Sequence, residues 1–235
     1  MIVYGRNPVR EAIRGPRPVR RVWATRTAGR ERWLSEPGVG VTIEQAQAIA
    51  ARCGSEAHQG ICAEVGPFRY AEAEQLLCVP SPLIVALDQV QDPQNLGAVC
   101  RTAECAGATG VVIPERRSAE VTPAVCKASA GAVEHLPVAK VRNLADFLGQ
   151  SKTGGMWCYG AAPDAPLSYE AVDYSGPVVL VLGSEGGGLR PRVAAACDAL
   201  VSIPLRGRVE SLGVSAAAAL LVYFAARRLD QERAP

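Results

Sequence analysis

Two histidines in 235 residues are too few for a His-based metal site, and none of the eight cysteines stands in Cys-x-x-Cys spacing. No metal is therefore assigned. Cys53, Cys62, Cys78, Cys100, Cys105, Cys126, Cys158 and Cys197 are scattered, mostly among apolar neighbours, and read as buried reduced thiols. No apolar run reaches the roughly eighteen uncharged residues of a membrane span. The opening MIVYGRNPVREAIRG has neither an apolar leader core nor a small-residue cleavage site, so a soluble, cytoplasmic protein with no membrane contact is expected. Aromatics make up only 5%, yet 49% hydrophobic content suffices for one large core or two modest ones.

The formal charge of +2 conceals an asymmetry. Met1 to Ser35 carries nine arginines (Arg6, Arg10, Arg14, Arg17, Arg20, Arg21, Arg26, Arg30, Arg32) against Glu11 and Glu31, a balance of +7, which leaves −5 for the rest. A polyanionic partner and a merely arginine-rich soluble surface account for that count equally well.

The patterning divides the chain in two. Residues 1–70 alternate short elements: strands at MIVYG, VRRVWAT and QGICAEV, a helix at NPVREAIRG capped by Asn7 with Pro8 first, and a helix at TIEQAQAIARCG. GPFRYAEAEQLLCVPSP, with three prolines, reads as a linker with a helical turn or two, centred on residues 71–81. Across 82–235, LIVALD, GVVIP, LPVAKV, MWCYGA, VVLVLG and LVSIPL are short apolar runs of the kind buried on both faces of a parallel sheet. Helical segments separate most of them, which predicts a doubly wound α/β domain with ligand beyond the carboxyl ends of its strands.

Three loops after strands hold candidate chemistry. In QVQDPQNLGAVCRTAECAGATG, Asp92 or Gln94 is placed to cap a helix that buries Leu96, Val99, Cys100, Ala103 and Ala106. Arg101 lies off that stripe. Gly97, one turn earlier, would leave open space over which its guanidinium reaches phosphate, although an ordinary surface arginine fits the pattern too. SEGGGLRP sets Glu185 among Gly183, Gly186, Gly187 and Gly188, a tight turn that lets backbone approach a ligand and fails the Gly-x-Gly-x-x-Gly spacing of dinucleotide sites. In RVESLGVSAAAALLVYFAARR, Ser211 is placed to cap a helix that buries Val214, Ala217, Leu221 and Phe224.

Taken together, NLGAVCRTA, LVLGSEGGGL and IPLRGRVESLGVS resemble the three motifs of the SpoU (TrmH-like) family in the SPOUT superfamily, RNA ribose 2'-O-methyltransferases. VTPAVCKASAGAVEHLPVAKVRNL is similar to the 23S ribosomal RNA guanosine (RlmB-like) branch. VYGRNPVREAI and HQGICAEV resemble the ends of a small substrate-binding domain like ribosomal protein L30e. The resemblance implies S-adenosyl-L-methionine as cofactor, a deep trefoil knot in the C-terminal α/β domain, and a homodimer whose sites draw on both chains. Periodicity alone suggests an unknotted sheet. By position, Gly183, Ile203 and Leu212, with Leu182, Pro204 and Gly207, would hold the cofactor through backbone groups. Asn95, Arg101, Glu185 and Ser211 match catalytic or substrate-binding positions. In the N-terminal domain, Arg6, Arg10, Arg20, Arg21, His58 and Gln59 are the implied RNA contacts.

A ribose 2'-hydroxyl is a weak acid and a weak nucleophile, so methyl transfer needs alignment and help in removing a proton. Arginine stays charged in proteins, which favours phosphate anchoring and oxyanion stabilisation over general-base work for Arg101. Asn95 and Glu185 would fix the arginine and the ribose. One departure from the family pattern stands out: its third motif reads Ser-Leu-Asn-Val-Ser, where this chain has Gly213. Loss of that amide keeps open a catalytically weak or inactive RNA-binding paralogue, while transfer RNA or an antibiotic-target loop is the alternative substrate.

Overall fold

β-Branched residues dominate the first strands, and they pair as a small mixed sheet. The computed structural model describes residues 1–35, 40–209 and 211–233, the last four by backbone alone. β1 (Ile2–Tyr4), α1 (Arg6–Arg14), β2 (Val19–Ala24), β3 (Val41–Ile43), α2 (Ala46–Cys53) and β4 (Ile61–Val65) follow in order. The sheet runs β1-β4-β2-β3, with β4 antiparallel to both neighbours and β3 parallel to β2. β3 is a correction to the sequence expectation, which drew it into the following helix. Its Val-Thr-Ile run pairs with Val22–Ala24 instead, and the helix waits until Ala46. α1 likewise begins at Arg6, with Gly5 at φ 97° in the cap position, so Asn7 lies inside the helix and does not cap it.

The larger part contains α3 (Ala73–Leu77), β5 (Leu83–Asp88), α4 (Pro93–Cys105), β6 (Gly110–Pro114), α5 (Pro123–Ala128), β7 (Val138–Val141), α6 (Leu144–Thr153), β8 (Trp157–Ala161), β9 (Leu167–Ser168), β10 (Val178–Gly183), α7 (Pro191–Ala196), β11 (Ala199–Ser202) and α8 (Val214–Arg233). Seven parallel strands are ordered β7-β6-β5-β10-β8-β11-β9, so the expected α/β class and parallel sheet are observed. Every residue of β5 and β6 is buried, because both faces are covered. Leu83, Val85 and Leu87 of β5 join a core with Leu96 and Val99 of α4 and Ala218, Leu221 and Val222 of α8. Ile84 and Ala86 point the other way, into a second core with Leu76 of α3, Leu144 and Leu148 of α6 and Val193 of α7. The stretch 71–81 is thus no free tether: Ala71 bridges Ala139, and Ala73 and Leu76 are buried.

The two sheets meet at a polar seam. The Arg17 guanidinium forms a two-pronged ion pair with the Glu134 carboxylate, Nε to Oε2 at 2.7 Å and Nη2 to Oε1, with both side chains almost wholly buried. Nearby, Glu11 and His135 lie 3.0 Å apart. The segment carrying Glu134 and His135 follows α5, and α5 packs on α4 in backbone contact. A β-carbon at Gly97 would collide with Ala128 Cβ and approach Ser129 N at 2.9 Å and Val125 O at 3.0 Å. Gly97 therefore lets two helices touch, and the open space expected beside Arg101 is not there.

Candidate active site

β5 and β10 are neighbours, and their last residues, Asp88 and Gly183, stand opposite each other at the carboxyl edge of the sheet. Asp88 is fully buried. Its carboxylate accepts the backbone N–H of Arg190 at 2.8 Å and the Arg190 Nε–H at 2.7 Å, and so fastens the far end of the glycine-rich loop to the root of the near end. Between them Ser184 and Gly188 exchange two backbone hydrogen bonds, 3.1 and 3.0 Å. A β-carbon on Gly183 would overlap the Gly188 backbone, which is why this position must be glycine. Sequence reasoning missed both Asp88 and Arg190. The signal was a single acid closing the apolar run LIVALD and an arginine closing SEGGGLR.

The same edge carries the start of α4. Asp92 caps that helix, accepting the Gln94 N–H at 3.0 Å, and places Asn95 in its first turn. Asn95 Nδ2 donates to Glu185 Oε1 at 2.8 Å, linking the first loop to the second. The third loop arrives at the same carboxylate: the nearest heavy atom to a β-carbon built on Gly213 is Glu185 Oε1, at 3.8 Å. Three loops that lie about ninety and thirty residues apart in sequence thus converge on Glu185.

Ser211 is not the helix cap. α8 starts at Val214, and the Gly213 carbonyl accepts the Ala217 N–H at 3.1 Å, which leaves Ser211 exposed two residues earlier. The left-handed backbone of Gly213, φ 73°, turns the chain into the helix and displaces the serine from the capping position. Ile203, Pro204, Gly207, Ser211 and Leu212 line one cleft of about 520 Å³. Leu182 has its side chain in the core, so only its backbone faces the edge. Arg101 is exposed and six residues beyond Asn95, about 9 Å along the helix axis. Among the described residues it makes no ion pair and no hydrogen bond to Asn95 or Glu185.

The N-terminal candidates separate by their partners. Arg6 pairs with Glu31 at 3.0 Å, Arg10 with Glu11 at 2.8 Å and Arg20 with Glu64 at 3.4 Å, whereas Arg21 is exposed without an ion pair among the described residues. Gln59 Oε1 accepts the Arg6 N–H at 3.0 Å. His58 is only 6% exposed, and its Nδ1 accepts the Gly60 N–H at 2.9 Å, so it fastens its own turn. Desolvation pushes Cys62, Cys100, Cys158 and Cys197 up to about 12 and Cys126 to about 11, while Cys78 and Cys105 are exposed.

Residues 82–223 match the SpoU rRNA Methylase family, and residues 2–71 match the family described as RNA 2'-O ribose methyltransferase substrate binding. The chain is 37% identical over 236 residues to YacO of Bacillus subtilis strain 168, assigned to the TrmH family of tRNA/rRNA methyltransferases, covering 96% of this chain and 95% of that one. It is 38% identical over 240 residues to a tRNA/rRNA methyltransferase of Mycolicibacterium vanbaalenii, covering 97% and 76%. Among solved structures, an AdoMet-bound rRNA methyltransferase from Sinorhizobium meliloti superposes with a TM-score of 0.80 at 26% identity, covering 97% and 86%. The SpoU methyltransferase AviRb of Streptomyces viridochromogenes, solved with AdoMet, shares the fold with a TM-score of 0.82 at 24% identity, covering 100% and 91%. Over both its parts, and with its three motif loops gathered at one sheet edge, the chain belongs to the SpoU RNA methylase family.

Proposed function

We propose that this RNA methyltransferase acts on the ribose 2'-hydroxyl of a guanosine in 23S ribosomal RNA, with S-adenosyl-L-methionine as methyl donor and as a homodimer. The meeting of three loops at Glu185 carries this reading. A cleft of about 520 Å³ bordered by exposed backbone suits a nucleoside-sized cofactor, and Ile203, Pro204, Gly207 and Leu212 line it. Gly183 and the Leu182 backbone would complete the grip from the neighbouring loop. The cofactor supplies a sulfonium-bound methyl group. The chain must then align the ribose and stabilise charge on its oxygen.

Asn95 occupies Glu185 Oε1, which leaves Oε2 free to accept a hydrogen bond from the incoming 2'-hydroxyl and orient its lone pair. Arg101, permanently charged, anchors a phosphate and stabilises the developing oxyanion. Its separation from Asn95 and Glu185 within one chain accords with a site completed by a second copy. So does the apolar rim: Leu205, Leu212, Leu220 and Tyr223 are exposed around the cleft and along α8, and Val209 is 75% exposed. We assign residues 1–70 as the substrate-binding domain and 82–235 as the methyltransferase domain, joined through 71–81.

Ribose methylation is mapped in ribosomal RNA from cells with and without the protein. Loss of one guanosine 2'-O-methyl in 23S ribosomal RNA is expected; loss confined to transfer RNA moves the substrate, and no loss in either leaves the RNA-binding paralogue. Gly213 bears on that second reading. Its left-handed φ is one that asparagine tolerates best among side-chain-bearing residues, and a β-carbon there meets nothing closer than Glu185 Oε1. Gly213→Asn is expected to fold normally and, by adding a donor to Glu185, to raise kcat/KM roughly 2- to 10-fold, the worth of one hydrogen bond. An unchanged value shows that glycine costs this site nothing.

A further inference from the structure

Part of the positive charge read from the N-terminal sequence is paired, although Arg21, Arg26, Arg30 and Arg32 form no ion pair among the described residues. Arg6, Arg10, Arg14, Arg17 and Arg20 all stand in ion pairs with glutamates. A second group of unpaired arginines lies on the large sheet. Arg116 and Arg117 lie on the loop leaving β6, and Arg142 follows the last residue of β7. All three are exposed, and none forms an ion pair among the described residues. Lys140, two residues before Arg142, differs: it is bound to Glu120 at 2.6 Å and lies 4.2 Å from the Tyr70 ring centre. Glu120 is thereby occupied, and Glu115 is the remaining carboxylate on this loop.

The backbone holds the three arginines together. Pro114 pairs with Val141, and the Glu115 N–H donates to Val141 O at 2.9 Å, so the loops of β6 and β7 leave the sheet side by side. The Ala119 N–H donates to Val90 O at 2.9 Å and ties the β6 loop to the loop that leads from β5 into Asn95. Two strand spacings, about 10 Å, separate β7 from β5. Arg117 has φ 57°, a conformation uncommon for a long side chain and the kind of local strain that recurs at binding loops.

We propose that Arg116, Arg117 and Arg142 grip the RNA sugar-phosphate backbone flanking the methylated ribose. The carboxyl edge of the large sheet is then a phosphate-binding ridge, and the methyltransferase domain sets the register of the strand it modifies. Arginine suits this work because its planar fork holds phosphate oxygens in pairs. The assignment rests on the reading of Asn95 and Glu185 as an RNA-methylating site.

The test uses the full chain and unmodified, in vitro transcribed large-subunit ribosomal RNA. In Arg116→Ala/Arg117→Ala/Arg142→Ala, the slope of log affinity against log salt should flatten by about 2, or roughly 0.7 per lost phosphate contact. That is about 100-fold weaker binding at 0.1 M salt. KM for RNA should rise with kcat nearly unchanged, and cofactor affinity and Tm should stay as in the wild type. Replacing the three by lysine should restore most of the slope, and Lys152→Ala, at the opposite edge of the sheet, should leave it unchanged. A wild-type slope in the triple alanine variant overturns the ridge while wild-type methylation of the same RNA stands. Absence of wild-type methylation overturns the underlying reading as well.

Discussion

On the proposed reading, Arg101→Ala is expected to lower the single-turnover rate of ribose methylation by roughly 10²- to 10³-fold, the loss typical of removing one donor to a developing oxyanion. The expectation follows from what Arg101 lacks. It is exposed on α4 and, among the described residues, holds no carboxylate. Its charge is therefore available to RNA, and its removal breaks nothing in the fold. Tm and cofactor affinity should accordingly stay at wild-type values. Arg101→Lys keeps the charge and loses the planar fork, so it should recover only a small part of the rate. A near-normal rate in Arg101→Ala would remove the residue from the mechanism.

The largest effect on stability is expected at the seam between the two sheets. Glu134→Ala leaves the Arg17 guanidinium buried without its partner, which costs about 3–5 kcal/mol. The Gly66 carbonyl, 3.2 Å from Arg17 Nη1, is a neutral acceptor and cannot offset that charge. Denaturant unfolding measures the loss, and a shift below about 1 kcal/mol would mean that water reaches the pair. Arg17→Met/Glu134→Met removes both charges and fills their volume, so it should recover most of the stability. Methylation of RNA by this double variant then separates the contribution of the ion pair to activity from its contribution to folding.

Much of this architecture can be read directly from residue patterns. LIVALD, GVVIP and VVLVLG are apolar at consecutive positions, and such runs have few stable homes other than a parallel strand covered on both faces. The motif loops follow strands, so their convergence at one edge is legible as well. What the pattern conceals depends on partners distant in sequence. β3 exists because β2 has a free edge, and nothing within Val41–Ile43 announces that. Gly97 looks like a gap until Ala128 is placed against it. Asp88 and Arg190 are a hundred residues apart, and each alone is an ordinary charged residue beside a turn. Ser211 has the composition of a cap, and the φ of Gly213 decides otherwise.

The pairing of β5 with β10 fixes the order in which the molecule can be completed. Leu83–Asp88 must wait for Val178–Gly183, ninety-five residues later, before the centre of the sheet closes. At the 5–20 residues per second of synthesis that is roughly 5–20 s in which a strand apolar from Leu83 to Leu87 leaves the ribosome with one side unpaired. Local contacts cannot shorten the interval. Nascent chains of this protein are therefore expected to lean on chaperones until β10 arrives, and slow refolding from denaturant should report the same delay.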